Sequence, residues 1–67
     1  MINLIINGKT VELDKPTLLS TFLESMKLNL QFVAVAHNGT VLDRNKFEIT
    51  LLDQGDEVEI VRPVGGG

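Results

Sequence analysis

A chain of 67 residues has room for one domain, and its lack of cysteine excludes disulfides, thiolate metal sites and a side-chain sulfur nucleophile. The net charge of −3 without a Lys/Arg cluster argues against a nucleic-acid partner and favours docking on a basic patch of another protein. No stretch approaches the roughly 20 apolar residues that cross a bilayer. No signal peptide is visible either, so we expect a cytoplasmic protein without membrane contact.

The chain opens with a predicted β-hairpin. Apolar residues alternate with others along residues 2–7, and Asn7-Gly8 follows. An Asn-Gly pair between alternating segments is a strong hairpin signal, because both central residues of a type I′ turn need positive φ. The second strand covers residues 10–14, with Val11 and Leu13 on the core face.

A helix should follow, beginning at Pro16-Thr17 with Thr17 as its N-cap and ending near residues 28–29. Its apolar stripe has helical spacing and comprises Leu19, Phe22, Leu23 and Met26.

The remaining chain supplies the other strands. Residues 32–37 are apolar on both faces, which indicates an interior strand, and Asn38-Gly39 is a second turn. Residues 41–46 read as irregular and 47–52 as a short strand or loop, before a clear last strand at 57–62. One sheet covered by one helix suits this order, with residues 1–62 as the domain and 63–67 as a flexible tail.

The sequence contains few side chains that could act in catalysis. His37 is the only histidine, and a histidine at a strand end is more often solvated or bonded to backbone than functional. The carboxylates near the last turn lack the ligand spacing of a calcium loop; they are Asp53, Asp56, Glu57 and Glu59. We therefore predict no catalytic residue and no metal site in this chain.

The informative segment is the triple glycine of the tail, Gly65 to Gly67. It is no phosphate loop, because no helix follows it. A flexible linker or an added tail is the plain interpretation. The alternative is an end threaded into another protein's active site, since glycine has no Cβ and fits a narrow channel.

Three segments together resemble the ThiS sulfur carriers of thiamine biosynthesis, in the ubiquitin-like β-grasp superfamily. They are the opening Ile-Asn-Gly, the Val-Ala-Val-Ala at 33–36 before Asn38-Gly39, and residues 55–62 running into Val64-Gly65-Gly66-Gly67. The resemblance covers essentially the whole chain. It implies an α+β β-grasp fold, with a mixed four- to five-stranded sheet on one helix and the first and last strands parallel at its middle.

The resemblance also implies a chemistry. An E1-like adenylating enzyme of the ThiF type would use ATP and magnesium to adenylate the carboxylate of Gly67, with Val64, Gly65 and Gly66 threading into its site. A sulfur donor would then leave a thiocarboxylate, which a ThiG-type thiazole synthase consumes. The chain itself would be a substrate rather than an enzyme and would bind no cofactor.

Two residues depart from the ThiS pattern. Pro63 stands where a small residue such as Ala is usual, and a proline before the tail resembles the pattern of the molybdopterin carriers. His37 replaces an aliphatic residue. Three alternatives stay open: a molybdopterin-type carrier, a ubiquitin-related protein modifier with the same activated glycine, and an interaction module with an incidental tail.

Strand alternation predicts where the adenylating partner docks. If the even residues of the first and last strands face the helix, Ile5 and Val61 lie on the opposite face of the sheet. Ala34 and Ala36 join them if Val33 and Val35 face the helix. The partner-binding surface is thus predicted to comprise Ile5, Ala34, Ala36 and Val61, beside the start of the tail.

Overall fold

The computed structural model describes residues 1–62. It contains one α-helix, α1 (Leu19–Ser25), and seven strands. The strands are β1 (Ile2–Ile6), β2 (Lys9–Leu13), β3 (Thr17–Leu18), β4 (Ala34–His37), β5 (Thr40–Leu42), β6 (Leu51–Leu52) and β7 (Glu57–Val61), with 3₁₀ turns at Leu30–Phe32 and Arg44–Lys46.

Five of these strands form the main sheet, in the order β2-β1-β7-β4-β5, while β3 and β6 make a separate two-stranded sheet. β1 and β7 run parallel, and the other neighbours in the main sheet are antiparallel. The first and last strands therefore lie side by side at the middle of a mixed sheet, which confirms the predicted β-grasp fold.

Both Asn-Gly pairs adopt the predicted turns. The φ angles are 51° at Asn7 and 81° at Gly8, and 50° at Asn38 and 85° at Gly39. Positive φ at both central residues is the requirement of a type I′ turn, whose twist matches that of the flanking strands. These turns set the pairing of β1 with β2 and of β4 with β5.

The core lies between one face of the main sheet and α1. Its members are apolar and buried: Ile2, Leu4, Ile6, Leu19, Phe22, Leu23, Val33, Val35, Phe47, Leu52, Val58 and Ile60. The even residues of β1 and β7 face inward, as alternation predicts. Phe47 comes from the segment between β5 and β6 and is fully enclosed, so this loop completes the core.

The helix begins later than predicted, at Leu19 instead of at Pro16-Thr17. Thr17 and Leu18 pair with Leu52 and Leu51, which keeps their backbone extended and delays the helix to Leu19. The Thr17 hydroxyl donates to the Lys15 carbonyl instead of capping the helix. Tertiary strand pairing has overridden the local capping pattern.

The predicted end was also too late. The N–H of Lys27 donates to the Glu24 carbonyl and that of Leu28 to the Leu23 carbonyl, which is the Schellman pattern. Lys27 takes φ 60° and reverses the chain. Met26, predicted in the buried stripe, is consequently 47% exposed, while Leu28 packs against the core.

The predicted interior strand at 32–37 begins only at Ala34. Phe32 belongs to the preceding 3₁₀ turn, in which the Asn29 side chain accepts a hydrogen bond from the Gln31 N–H. The segment after Asn38-Gly39, predicted irregular, forms β5 as the hairpin partner of β4.

The Schellman turn generates a stability prediction. Lys27→Gly should raise the free energy of unfolding by about 0.5–1 kcal/mol, because glycine adopts φ 60° without the steric cost of a Cβ. Lys27→Ala is the matched control, since it removes the same charge but keeps the Cβ. Urea unfolding of the three proteins measures the difference, and equal stability of the two variants would contradict the backbone argument.

Candidate functional site: the open face of the sheet and the root of the tail

Every tail residue predicted to react or to thread lies outside the described residues. These are Val64, Gly65, Gly66 and Gly67. The structure does describe the point from which the tail departs, namely Val61 and Arg62 at the end of β7, here called the tail root. The site is therefore built from the tail root and the surfaces beside it.

Near the tail root, the side chain of Asn7 binds the backbone of β7. The Asn7 Oδ1 accepts a hydrogen bond of 2.8 Å from the Ile60 N–H, and its Nδ2 donates at 3.2 Å to the Ile60 carbonyl. The backbone N–H of Asn7 also donates to the Val58 carbonyl at 2.9 Å. The amide thus continues the parallel ladder beyond the end of β1.

On its other side β7 pairs with β4 along its length. Val61 lies opposite Ala34 and Glu59 opposite Ala36. The backbone of the strand is consequently bonded from both sides almost to the tail root.

The face of the main sheet that α1 does not cover is here called the open face. Val61 is 61% exposed on it and Ala34 is exposed, while Ala36 is half-buried. A shallow depression at this place is lined by Ala34, Val35, Ala36, Val41, Glu59 and Val61. The structure thus brings together three of the four residues predicted to bind the partner.

The fourth, Ile5, lies on the same face but outside that depression. It is opposite Glu57 in the parallel register, four residues along β7 from Val61, and is 38% exposed. Val41 takes its place beside the alanines, because the two-residue turn puts it opposite Ala36. Sequence analysis missed Val41, although the Asn38-Gly39 turn fixes that register once the following residues are taken as a strand.

The charges of the open face have one sign. Glu57 and Glu59 of β7 project from it, and so does Glu12 of β2, which lies opposite Asn3. Alternation places no Lys or Arg from the five strands of the main sheet on this face. A partner surface that covers it must therefore supply the compensating positive charge.

A second depression lies on the helix side of the tail root. It is lined by Asn7, Met26, Leu28, Ile60 and Arg62. The exposure of Met26 and the guanidinium of Arg62 make it partly apolar and partly basic, in contrast to the acidic open face. The tail root therefore separates two surfaces of different character.

A polar cluster occupies the opposite end of β7. His37 Nε2 donates to Asp56 Oδ2 at 2.9 Å, and the same oxygen accepts from the Asp53 N–H at 2.9 Å. Asn38 Nδ2 donates to Asp56 Oδ1 at 3.2 Å. The Asn38 Oδ1 accepts from the Glu57 N–H at 2.8 Å. His37 therefore ties its turn to the loop before β7.

These contacts shift the titration of Asp56. Burial by itself raises the pKa of its carboxyl, but hydrogen bonds from His37, the Asp53 N–H and Asn38, with the charge interaction with His37, outweigh it. The pKa of Asp56 is lowered below its ordinary value of 3.8. The cluster joins structural elements and lies away from the tail root.

Residues 1–62 contain no group of three or more side chains that could hold a metal ion. In the same residues no helix has the length and apolar character needed to cross a membrane.

Known proteins resemble the chain over nearly its full length. The model of the ThiS family matches residues 4–67. The crystal structure of the thiamine biosynthesis protein ThiS from Geobacter metallireducens superimposes with a TM-score of 0.84 at 35% identity, covering 98% of this chain and 100% of that one.

Two curated relatives are similar to the same extent. The uncharacterized protein ycf40 of Porphyra purpurea is 33% identical over 66 residues, and ycf40 of Pyropia yezoensis is 35% identical over 66 residues. Each alignment covers 98% of this chain and 93% of the relative.

The lowered pKa of Asp56 predicts a dependence of stability on pH. Because the folded-state pKa is depressed, the carboxylate stabilises the fold above pH 3.8, and this contribution disappears as the pH falls through the lowered value. Asp56→Asn should cost about 1 kcal/mol near neutral pH, through weaker hydrogen bonds, and less in acid.

Urea unfolding of both proteins, from about pH 7 down to about pH 2.5, measures this difference. Glu48→Gln is the control, since that carboxylate is exposed. A gap between wild type and Asp56→Asn that stays constant over the whole range would contradict the assignment.

Proposed function

This chain belongs to the ThiS family of β-grasp sulfur carriers, and from that membership we propose that it supplies sulfur for thiamine biosynthesis through the carboxylate of Gly67. The observation that carries the proposal is the extent of the family match, which runs from residue 4 through the three glycines to residue 67. The absence of cysteine supports it too, because no thiol competes with the Gly67 carboxylate as the carrier group.

The proposed chemistry begins with activation. A carboxylate oxygen of Gly67 attacks the α-phosphorus of ATP, and the bond to the β-phosphate breaks, so that pyrophosphate leaves and an acyl adenylate remains. Magnesium held by the partner neutralises the charge that develops on the phosphates. A sulfur nucleophile then attacks the acyl carbon and AMP departs, which leaves the thiocarboxylate.

Catalysis in this scheme belongs to the partners. An E1-like, ThiF-type enzyme supplies the nucleotide site, a separate donor supplies sulfur, and a ThiG-type thiazole synthase receives it. The chain contributes a carboxylate on a narrow tail, in which Val64, Gly65 and Gly66 precede the reacting residue. Five residues reach at most roughly 17 Å when extended, so the partner must dock within that distance of the tail root.

The open face meets this requirement. Val61 belongs to both the tail root and the open face, and Ala34 lies directly beside it. Small alanine side chains let a partner approach the sheet closely, and an apolar patch beside a functional segment is a typical protein-binding feature. We therefore propose that the ThiF-type partner docks over Ala34, Ala36 and Val61, with Ile5 at the margin.

Two related functions would use the same activated glycine: transfer of sulfur to a molybdopterin precursor, and attachment to lysines as a ubiquitin-related modifier. They differ from the proposal only in the acceptor. Thiazole formation from the loaded carrier therefore distinguishes it from both.

One test of the proposed function concerns Gly67. Incubation with ATP, magnesium, the ThiF-type enzyme of the source organism and a sulfide source should exchange one oxygen for sulfur at the last residue. Intact-mass measurement followed by fragmentation locates the change. A variant extended by one alanine after Gly67 is the control and should stay unmodified. Sulfur transfer at the normal rate to the uncleaved extended chain would contradict the proposal.

Another test concerns the proposed docking surface. Val61→Glu and Ile5→Glu should weaken binding to the ThiF-type enzyme, because burial of two such side chains contributes on the order of 2–4 kcal/mol. Val61→Glu should have the larger effect, since Val61 is more exposed and lies beside the alanines.

Titration calorimetry measures the affinity, and the unfolding midpoint in urea checks that both variants fold. Ile49→Glu is the matched control, because Ile49 is 69% exposed and lies outside the main sheet. Equal affinity of wild type and both sheet variants would assign the docking surface elsewhere.

A further inference from the structure

The side chain of Asn7 makes contacts that its turn does not require. The first central residue of a type I′ turn needs positive φ, which Asn, Asp and Gly all tolerate. Asn7 takes φ 51° and Gly8 takes 81°. Of these three residue types, only asparagine carries a hydrogen-bond donor and an acceptor on one planar group. The turn by itself therefore gives no reason to prefer the amide.

The amide matches the backbone of β7. Its Oδ1 accepts from the Ile60 N–H at 2.8 Å, and its Nδ2 donates to the Ile60 carbonyl at 3.2 Å. This pairing needs a donor and an acceptor side by side, as the backbone of a neighbouring strand would supply them. An aspartate would place a second acceptor against the Ile60 carbonyl, and a glycine would leave both backbone groups without this partner.

Within residues 1–62, this pair is the last hydrogen-bonded contact on the β1 side of β7. The backbone of the first hairpin reaches β7 only as far as the bond from the Asn7 N–H to the Val58 carbonyl. Without the amide, the end of β7 would be held from the β4 side alone, where Val61 pairs with Ala34. A strand end bonded on one side opens more readily than one bonded on both sides.

The end of β7 that the amide holds is the end that leads into the tail. Ile60 lies two residues before Arg62 and seven before Gly67. Because the carboxylate of Gly67 can reach at most roughly 17 Å from the tail root, the position of the root limits where that carboxylate can go. A misplacement of about 1 Å at the reacting atoms can lower a rate by as much as 100-fold.

The amide lies apart from the proposed docking surface. It lines the second depression, on the helix side of the tail root, whereas Ala34, Ala36 and Val61 line the depression on the open face. Loss of the amide therefore leaves every docking side chain in the sequence. Its effect on the tail can be measured separately from the affinity for the partner.

We propose that Asn7 is a positioning residue for the activation of Gly67: its side-chain amide holds the end of β7, so that the tail leaves the sheet from a fixed point. The inference rests on the function proposed above and adds to it a residue that acts through Ile60 instead of on the reacting atoms. Loss of the amide should slow adenylation of the docked carrier without weakening docking.

The chain contains a matched control for this test. Asn38-Gly39 is a turn of the same type, with φ 50° and 85°, and the Asn38 Oδ1 accepts from the Glu57 N–H at the opposite end of β7. Asn7→Gly and Asn38→Gly each keep a residue that accepts positive φ and each remove a side-chain contact to β7. Asn7→Asp is the third variant, because it keeps the acceptor for the Ile60 N–H and replaces the donor by a carboxylate oxygen.

The functional readout is the rate of adenylate formation in a single turnover, with the purified ThiF-type enzyme of the source organism at saturation. Asn7→Gly should lower this rate about 5- to 10-fold. Asn7→Asp should lower it too, because two acceptors then face each other at Ile60. Asn38→Gly should react at the wild-type rate. Titration calorimetry should give the same Kd for all four proteins.

The structural readout is amide hydrogen exchange of the full-length carrier alone, followed by NMR. Asn7→Gly should speed exchange at Ile60, and Asn38→Gly should speed it at Glu57. Urea midpoints of the two glycine variants compare their overall loss of stability. A purely structural role of Asn7 would slow adenylation in both glycine variants in proportion to that loss, which would contradict positioning.

The outcomes are distinct. If Asn7→Gly is adenylated as fast as the wild type, or exchanges like the wild type at Ile60, the positioning role is overturned and the proposed function stands. If Asn7→Gly raises the Kd and leaves the rate at saturation unchanged, the amide acts in docking and the inference is again overturned. If the wild type is not adenylated at all, the proposed function fails and the positioning role with it.

Discussion

The structure depends on how the last strand is held between β1 and β4. The two Asn-Gly turns take part directly, at opposite ends of β7. Asn7 pairs through its side-chain amide with both backbone groups of Ile60. Asn38 uses its backbone N–H and its Oδ1 to pair with the carbonyl and N–H of Glu57. Each asparagine therefore adopts the positive φ of its turn and also extends the hydrogen bonding of β7.

This arrangement compensates for short strands. β1 and β7 have five residues each, and their parallel register joins only Ile5 with Glu57 and Ile6 with Val58. Parallel strands leave their ends unpaired unless other groups satisfy the backbone. Asn7 supplies those groups, so β7 stays hydrogen-bonded on this side as far as Ile60. Its side chains alternate strictly between the core and the open face.

The alternation gives β7 two different faces. One side of β7 contributes Val58 and Ile60 to the core, and the other leaves Glu57, Glu59 and Val61 exposed on the open face. Because α1 packs on one face of the main sheet, Ala34 and Val61 stay exposed on the other. The polar cluster around Asp56 lies about 13 Å away from Val61 along β7 and joins the other end of the strand to the Asn38-Gly39 turn.

Sequence alone determined the elements that depend on local chemistry. The Asn-Gly turns, the alternation of β1, β2 and β7 and the open-face residues follow from φ preferences and from the period of two in a strand, both of which act over a few residues. The structure brings three of the four predicted partner-binding residues into one depression, and the proposed role of the tail still rests on the family resemblance.

Tertiary structure determined the features that depend on contacts between residues far apart in the sequence. Helix α1 starts late because Thr17 and Leu18 pair with β6, more than 30 residues away. Phe32 is exposed because the chain must turn before Val33 can enter the core, and the side-chain pairing of Asn7 with Ile60 spans 53 residues. No local pattern encodes such contacts, since their energy exists only once the sheet has formed.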